Sequence, residues 1–181
     1  MKKVSDYFPI YSIKDFFIPR WPFYNKKNII NSVIYNKKYH VNYASNNFPI
    51  LDDDTNFFET LYQKYYNFCD KTFKFTVHPL NLRTCWAYVS QKDNFVEVWH
   101  DHTRTSTISS VYYLNIPKNN TSIDFRLNGN HYTHRPKENE LIIFPHYLEH
   151  KPNRCYDDGD RISINMEIRC FQDAEDLFNK L

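Results

Sequence analysis

The chain has 181 residues and a net charge of +2, and it contains 15 Tyr and 15 Phe but only 2 Gly. Average usage predicts roughly a dozen glycines at this length. With Gly129 and Gly159 as its glycines, the chain cannot form the Gly-rich loops of Rossmann dehydrogenases or P-loop NTPases. The balanced, scattered charge also disfavours a nucleic-acid partner, since phosphate recognition needs clustered Lys and Arg.

Hydropathy and cysteine spacing indicate the cellular compartment in which the protein works. Mean hydropathy is −0.70, and no apolar run approaches the roughly 18 residues of a membrane span, so we predict no membrane association. The 4 cysteines lack Cys-x-x-Cys spacing, which argues against a disulfide framework or a zinc ribbon. These features favour a reducing, cytoplasmic location.

Residues 1–50 begin what we predict to be a single domain spanning residues 1–181. Pro9, Pro19, Pro22 and Pro49 interrupt this aromatic-rich segment, and each proline removes a backbone hydrogen-bond donor. We therefore predict an irregular N-terminal wrapping with one strand near residues 30–39.

Residues 51–72 have the pattern of an amphipathic helix. Acidic residues and Thr55 offer an N-cap, and apolar residues then recur at helical spacing on one broad face. That face comprises Phe57, Phe58, Leu61, Tyr62, Tyr65, Tyr66 and Cys69. We predict a helix that buttresses the core through this face.

Residues 73–170 consist of short β-forming runs separated by polar turns. Runs at roughly 8–12-residue spacing without intervening helices predict an antiparallel sandwich or barrel. The predicted strands cover residues 75–77, 85–89, 95–99, 108–116, 122–127, 141–144 and 161–168. A short helix is predicted within residues 171–181, so the fold class is mainly β with supporting helices.

Two histidines follow one of these strands, in the order His100-Asp101-His102. Alternate residues of an extended chain share a face, so His100 and His102 point the same way and Asp101 points opposite. Two imidazoles placed in this way can bind a first-row metal ion. His150, where the chain re-enters the sheet, offers a third ligand, and His146 competes with it on composition alone.

A second polar group lies on the last predicted strand. Arg161 and Ser163 share one face, while Ile162 and Ile164 occupy the other. An Arg among apolar neighbours is costly to bury unless it meets an anion. Its planar guanidinium suits a carboxylate, either of a ligand or of an Asp or Glu in the protein.

The order of these pieces resembles that of the Fe(II)- and 2-oxoglutarate-dependent oxygenases, in particular the phage-type branch similar to prolyl hydroxylases. The resemblance covers residues 85–170, and residues 1–50 match no family pattern. It rests on Val98-Trp99-His100-Asp101-His102, residues 109–115, Leu141-Ile142-Ile143-Phe144-Pro145, Leu148-Glu149-His150 and Arg161-Ile162-Ser163.

The resemblance implies a double-stranded β-helix, a cupin-like jelly roll, in which His100 and His150 bind Fe(II). It also implies that Arg161, helped by Ser163 and by the Tyr113 hydroxyl, binds the distal carboxylate of the cosubstrate 2-oxoglutarate. The expected enzyme is a dioxygenase that uses O2 to hydroxylate its substrate and releases succinate and CO2. A peptidyl or protein side chain is the first expectation for that substrate, and a small molecule is the second.

The third metal ligand is where the chain departs from the family, which places Asp or Glu at the position of His102. One alternative is a three-histidine site of His100, His102 and His150. The other is a local bulge that turns Asp101 inward as the carboxylate ligand. An all-histidine set also leaves open a second hypothesis, a cupin-like metal-binding protein without oxygenase activity.

Trp99, His131 and His134 are the candidates for the substrate side of the cavity. Trp99 adjoins the proposed metal site, and the two histidines fall in a segment predicted as a loop between strands. No catalytic side chain beyond the metal ligands is predicted.

Overall fold

The computed structural model describes residues 1–18, 57–81, 83–92, 97–117, 122–154 and 159–181. The strands in these ranges are β1 (Lys2–Lys3), β2 (Tyr11–Ile13), β3 (Thr84–Ser90), β4 (Ile108–Asn115), β5 (Ile123–Leu127), β6 (Asn130–His134), β7 (Leu141–Pro145), β8 (Glu149–Pro152) and β9 (Arg161–Ile168). The helices are α1 (Phe57–Phe73) and α2 (Ala174–Phe178). The strand predicted near residues 30–39 and the N-cap proposed at Thr55 lie outside the described residues. Within those residues, no helix combines the length and the apolar character needed to cross a membrane.

The strands form two antiparallel sheets. The major sheet has the order β1-β2-β7-β4-β9-β3, and the minor sheet has the order β6-β5-β8. Phe125 of β5 packs against Phe144 of β7 with ring centroids 5.1 Å apart, so the two sheets face each other. This architecture confirms the predicted mainly β fold class.

Helix α1 covers the outer face of the major sheet. Its buried residues are Phe57, Phe58, Leu61, Tyr62, Tyr65, Cys69 and Phe73, which form one apolar stripe at helical spacing. The Tyr65 hydroxyl donates to the Ile108 carbonyl of β4 at 3.2 Å. Burying each such large apolar side chain contributes roughly 1.5–3 kcal/mol. In the part that the structure describes, the helix runs from Phe57 to Phe73, one residue beyond the predicted segment.

Strand β9 shows how the major sheet divides its side chains between the core and the site. Every second residue belongs to the core that contains α1: Ile162, Ile164, Met166 and Ile168. Arg161, Ser163 and Glu167 therefore lie on the opposite, inner face, because strand side chains alternate. The inner face also carries a second core shared with the minor sheet, including Tyr113 and Phe144.

Strand β2, near the N-terminus, and helix α2, near the C-terminus, contact each other on the α1 side of the major sheet. In the described part of the N-terminal segment, β2 pairs with β7 and so extends the sheet. Helix α2 lies within the segment predicted to be helical and buries Ala174, Leu177 and Phe178. The rings of Tyr11 and Phe178 are 6.1 Å apart, which joins the first strands to the last helix.

The segment that contains His131 and His134 is a strand, and the loop predicted for it is wrong. This strand, β6, pairs with β5 along its whole length. Asn128 and Gly129 connect the two strands with φ of 49° and 79°. A two-residue hairpin turn needs this left-handed conformation, and an Asn-Gly pair adopts it readily. The Asn128-Gly129 turn therefore makes residues 130–134 a strand, although their polar side chains do not favour one.

The segment before His100 has no strand in the part that the structure describes. Residues 93–96 lie outside the described ranges, and residues 97–99 belong to no strand. His100 instead forms an isolated antiparallel bridge with His150 of β8. The His100 N–H donates to the His150 carbonyl at 3.1 Å, and the His150 N–H donates to the His100 carbonyl at 2.9 Å.

Candidate metal centre

Three histidine side chains converge between the two sheets. Ligand atoms of His100, His102 and His150 all lie within 4.8 Å of one another. The bridge between His100 and His150 holds two of these residues side by side, and the His102 N–H donates to the His146 carbonyl at 2.9 Å. Backbone hydrogen bonds from two different loops and β8 therefore bring the three rings together.

The hydrogen bonds of the three rings define which nitrogen atoms are free. His100 Nδ1 lies 3.0 Å from the Val98 carbonyl, and His150 Nδ1 lies 3.0 Å from the Leu148 carbonyl. Since a carbonyl can only accept, each Nδ1 carries the proton and each Nε2 keeps its lone pair. His102 Nδ1 donates in the same way to Glu167 Oε1 at 2.6 Å. Metal-binding histidines have this arrangement, in which the second ring nitrogen is held by an oxygen.

The position of the free nitrogens fits a cation. His102 Nε2 and His150 Nε2 are 3.3 Å apart, and two lone pairs that face each other at this distance repel unless a proton or a metal ion lies between them. Burial lowers the pKa of His150 well below its usual 6.5, and the adjacent His102 and His100 lower it further. Burial also lowers the pKa of His100. Both rings are therefore held neutral, which is the form that binds metal ions.

Asp101 and His146 lie outside this cluster. Asp101 is exposed, and its Oδ1 accepts a hydrogen bond from the Thr103 N–H at 3.1 Å. His146 is half-buried, with its Nδ1 3.4 Å from the Thr107 carbonyl. The structure thus brings His102, and not Asp101, to the other two histidines, without the bulge that would turn Asp101 inward.

Arg161 is buried without a carboxylate partner among the residues that the structure describes. Its exposed fraction is 1%, and its Nη1 donates to the Asn153 carbonyl at a long 3.4 Å. Its Nε has no hydrogen-bond partner in that part of the chain, where the ion pairs found all involve other residues. A buried guanidinium in this state is costly, so the site is suited to an anion that comes from outside the chain.

Two further unsatisfied hydroxyls surround Arg161. Its guanidinium carbon lies 5.5 Å from the centroid of the Tyr113 ring, and Ser90 is its direct partner across the β3–β9 ladder. The hydroxyls of Tyr113 and Ser90 are buried and have no partner within the described ranges. Burial raises the pKa of Tyr113 to about 12, although Arg161 opposes this, so the phenol can donate at neutral pH. Ser163 lies opposite Tyr113 on the same inner face.

Comparison with solved structures identifies the fold. A prolyl 4-hydroxylase from Pseudomonas putida matches with a TM-score of 0.62 at 12% identity, over 90% of this chain and 89% of that one. A Trichoplax adhaerens prolyl hydroxylase, solved with a hypoxia-inducible factor peptide fragment, matches with a TM-score of 0.64 at 12% identity, over 91% and 85%. The viral collagen prolyl hydroxylase of Paramecium bursaria chlorella virus 1, in its 2-oxoglutarate complex, matches with a TM-score of 0.58 at 13% identity, over 94% and 100%.

The chain has the double-stranded β-helix fold of the prolyl hydroxylases. No family model and no curated protein matches the sequence. The resemblance inferred from the order of the motifs is thus confirmed at the level of the fold, which is what identities of 12–13% support.

In this β-helix, the three residues predicted for the substrate side make two separate sets of contacts. The guanidinium carbon of Arg126 lies 4.5 Å from the centroid of the Trp99 ring. The centroids of the Trp99 and His131 rings are 5.9 Å apart. Because Phe125 and His150 face inward, the alternating neighbour Arg126 places this group on the outer face of the minor sheet. His134 Nε2 lies 2.9 Å from Glu140 Oε1, in a separate polar contact.

Sequence reasoning missed Glu167 and Ser90. Glu167 is an even number of residues from Arg161 on β9, so strand alternation alone places both on one face. The alternation that turns Arg161 inward therefore also predicts an inward-facing Glu167. Ser90 has no comparable signal, because its position opposite Arg161 depends on the register between β3 and β9.

Proposed function

We propose that this protein is an Fe(II)- and 2-oxoglutarate-dependent dioxygenase. The observation that carries the proposal is that two groups lie between the same two sheets. One is the three-histidine cluster with free Nε2 atoms, and the other is the buried Arg161, whose Nε has no acceptor among the described residues. One of these groups suits a divalent metal ion and the other a carboxylate. Their coexistence on a prolyl hydroxylase fold supports this activity over either function alone.

His100, His102 and His150 would hold Fe(II) through their Nε2 atoms. Imidazole nitrogen is a ligand suited to iron, and the three Nδ1–H groups are already bound to oxygen. This set leaves the remaining coordination positions to the cosubstrate and to O2. In this proposal His102 takes the place of the carboxylate ligand, and Asp101 serves only the turn at Thr103.

Arg161 would hold the distal carboxylate of 2-oxoglutarate. Its planar guanidinium can bind both oxygens of a carboxylate, and Tyr113 and Ser163 lie on the same face to add hydroxyl donors. When bound, Fe(II) and 2-oxoglutarate reduce O2 together, so that one oxygen atom enters succinate, the other enters a substrate C–H bond, and CO2 leaves. The side chains of this chain orient the cosubstrate and exclude water from it.

The proposed substrate is a peptidyl or protein side chain. Support comes from the similar Trichoplax prolyl hydroxylase, whose structure contains a peptide fragment, and from the similar viral collagen prolyl hydroxylase. We place the activity in the cytoplasm, because Cys69, Cys85 and Cys170 are free buried thiols, as a reducing compartment would keep them.

An anaerobic titration with Fe(II) and 2-oxoglutarate tests the proposal. The wild-type protein should develop the weak metal-to-ligand charge-transfer band of the chelate and, once O2 is admitted, form succinate. His150→Ala should lose stoichiometric iron and succinate formation, whereas His146→Ala, the neighbouring half-buried histidine, should retain both. A wild-type protein that gives neither band nor succinate would refute the dioxygenase.

A cupin-like metal-binding protein without oxygenase activity is the second candidate. The specific observation in its favour is the all-histidine cluster, with Asp101 pointing to solvent. This candidate predicts a metal site that ignores 2-oxoglutarate and is unaffected by loss of the Arg161 guanidinium. The titration separates the two, since the dioxygenase requires the spectrum to change when 2-oxoglutarate is added.

A further inference from the structure

The three histidines differ in what lies behind them. His100 and His150 donate from Nδ1 to neutral backbone carbonyls. His102 donates to a carboxylate, Glu167 Oε1, at 2.6 Å. The cluster therefore has one ring that is joined to a negative charge and two that are not.

The Glu167 carboxylate is enclosed with little else to neutralise it. The side chains of His102 and Glu167 are 14% and 11% exposed. Across the ladders Glu167 faces Ser109 and Thr84, which carry no charge. Within the described ranges, its ion pair is with His102 alone. Burying a carboxylate is costly unless it is hydrogen-bonded and paired with positive charge, and a metal ion bound by His102 would supply that charge.

The acidic residues nearest to the ligand histidines in sequence, Asp101 and Glu149, form hydrogen bonds with residues outside the cluster. Asp101 accepts from the Thr103 N–H. Glu149 makes two hydrogen bonds of 2.8 Å to Arg126 on the outer face of the minor sheet. Among the described residues, Glu167 is thus the carboxylate that contacts the cluster, from a strand distant in sequence.

We propose that Glu167 is a positioning residue that supplies negative charge to the metal through the imidazole of His102. This inference rests on the proposed Fe(II) site and goes beyond its ligand set. The hydrogen bond orients the ring and makes its Nε2 more basic. In this arrangement the charge that a directly bound carboxylate would provide is held one hydrogen bond further from the metal. It stabilises Fe(III) more than Fe(II), because the attraction grows with the charge of the ion.

Two substitutions separate the charge from the hydrogen bond. Glu167→Gln keeps an oxygen that accepts from His102 Nδ1 and removes the charge, whereas Glu167→Ala removes both. The matched control is Glu140→Gln, because Glu140, 4% exposed, pairs in the same way with a histidine outside the cluster, His134, which is 12% exposed. Anaerobic titration with Fe(II) and spectroelectrochemistry of the loaded proteins give the dissociation constant and the Fe(III)/Fe(II) midpoint potential.

We expect both Glu167 variants to bind Fe(II) roughly 10- to 100-fold more weakly, as removal of such supporting partners usually does. In Glu167→Gln the potential should rise by about 59 mV for each tenfold by which Fe(III) binding weakens more than Fe(II) binding. Glu140→Gln should change neither quantity. Glu167→Asp, which keeps the charge, should lie closer to the wild type in potential than Glu167→Gln does.

The outcomes distinguish this inference from the proposed function. If the wild-type protein binds no metal, the Fe(II) site itself is refuted and this inference falls with it. If the wild type binds Fe(II) and Glu167→Gln has the same affinity and potential, only the role of Glu167 is refuted. The same conclusion follows if Glu167→Asp and Glu167→Gln shift the potential equally, since charge would then not be its origin.

Discussion

Replacing Arg161 with Met should stabilise the ligand-free protein while abolishing its binding of 2-oxoglutarate. Arg161 is 1% exposed, and in the described part of the chain its Nε has no acceptor. Met has a similar length and no polar atom that needs a partner. The two opposite effects come from the same property of Arg161, a buried charge that awaits an anion.

The gain in stability follows from the cost of the unpaired donor. A buried donor without an acceptor costs about 1–3 kcal/mol. The substitution also removes the long 3.4 Å hydrogen bond to Asn153 and the contact with the Tyr113 ring at 5.5 Å. A Met sulfur can still pack favourably against that ring. In a chain of this size 1 kcal/mol shifts the melting temperature by about 2–4 °C, so we expect a rise of roughly 2–12 °C.

The loss of binding follows from the carboxylate contacts. A hydrogen bond to a charged group contributes about 1.5–3 kcal/mol, and a guanidinium can form two with one carboxylate. Losing both weakens 2-oxoglutarate binding by roughly 100-fold or more, since about 1.4 kcal/mol corresponds to a factor of ten.

Thermal unfolding with and without 2-oxoglutarate, under anaerobic conditions with Fe(II), measures both effects. At a ligand concentration about 100 times the dissociation constant, the wild type should gain roughly 2.7 kcal/mol, and Arg161→Met should gain almost nothing. Arg83→Met, which removes an exposed guanidinium paired with Glu59 of α1, should respond to 2-oxoglutarate as the wild type does. An Arg161→Met protein that is less stable than the wild type when ligand-free, yet is still stabilised by 2-oxoglutarate, would show that the guanidinium is structural.

Three further predictions concern the same centre. Tyr113→Phe removes a donor to a carboxylate, so isothermal titration should show 2-oxoglutarate binding weakened by roughly 10- to 100-fold, and an unchanged affinity would exclude the hydroxyl from the site. Trp99→Ala should weaken Fe(II) binding several-fold in an anaerobic titration, because the ring anchors the segment before His100 to the outer face of the minor sheet. Trp99→Phe, which keeps an aromatic ring there, should recover most of the affinity. The free energy of unfolding of the metal-free protein should be highest above about pH 6.5 and fall as the pH drops below it, since the pKa of His150 is low in the folded state and the unfolded chain binds the proton first. Urea denaturation across this range should show a shallower pH dependence in His150→Gln, and an equal slope in both proteins would contradict this explanation.

The features that were predictable from sequence are those set by short-range periodicity. The helical spacing of Phe57 to Cys69 indicated α1, because a single apolar face needs only the local repeat. The alternation on β9 separated Arg161 and Ser163 from Ile162 and Ile164 for the same reason. Local patterns were less informative for β6, whose polar residues form a strand because Asn128 and Gly129 close the hairpin.

The mainly β class and the histidine and arginine candidates depend on residue type and on period, so local patterns are enough to predict them. Contacts between distant parts of the chain bring His102 to His100 and His150 and leave Asp101 facing solvent. That choice depends on the His102 N–H bond to the His146 carbonyl and on the Asp101 turn. The fold also places Glu167 of β9, which is far from His102 in sequence, in contact with the His102 ring. A local pattern shows which side chains can bind a metal ion, but backbone hydrogen bonds to distant residues decide which of them point at it.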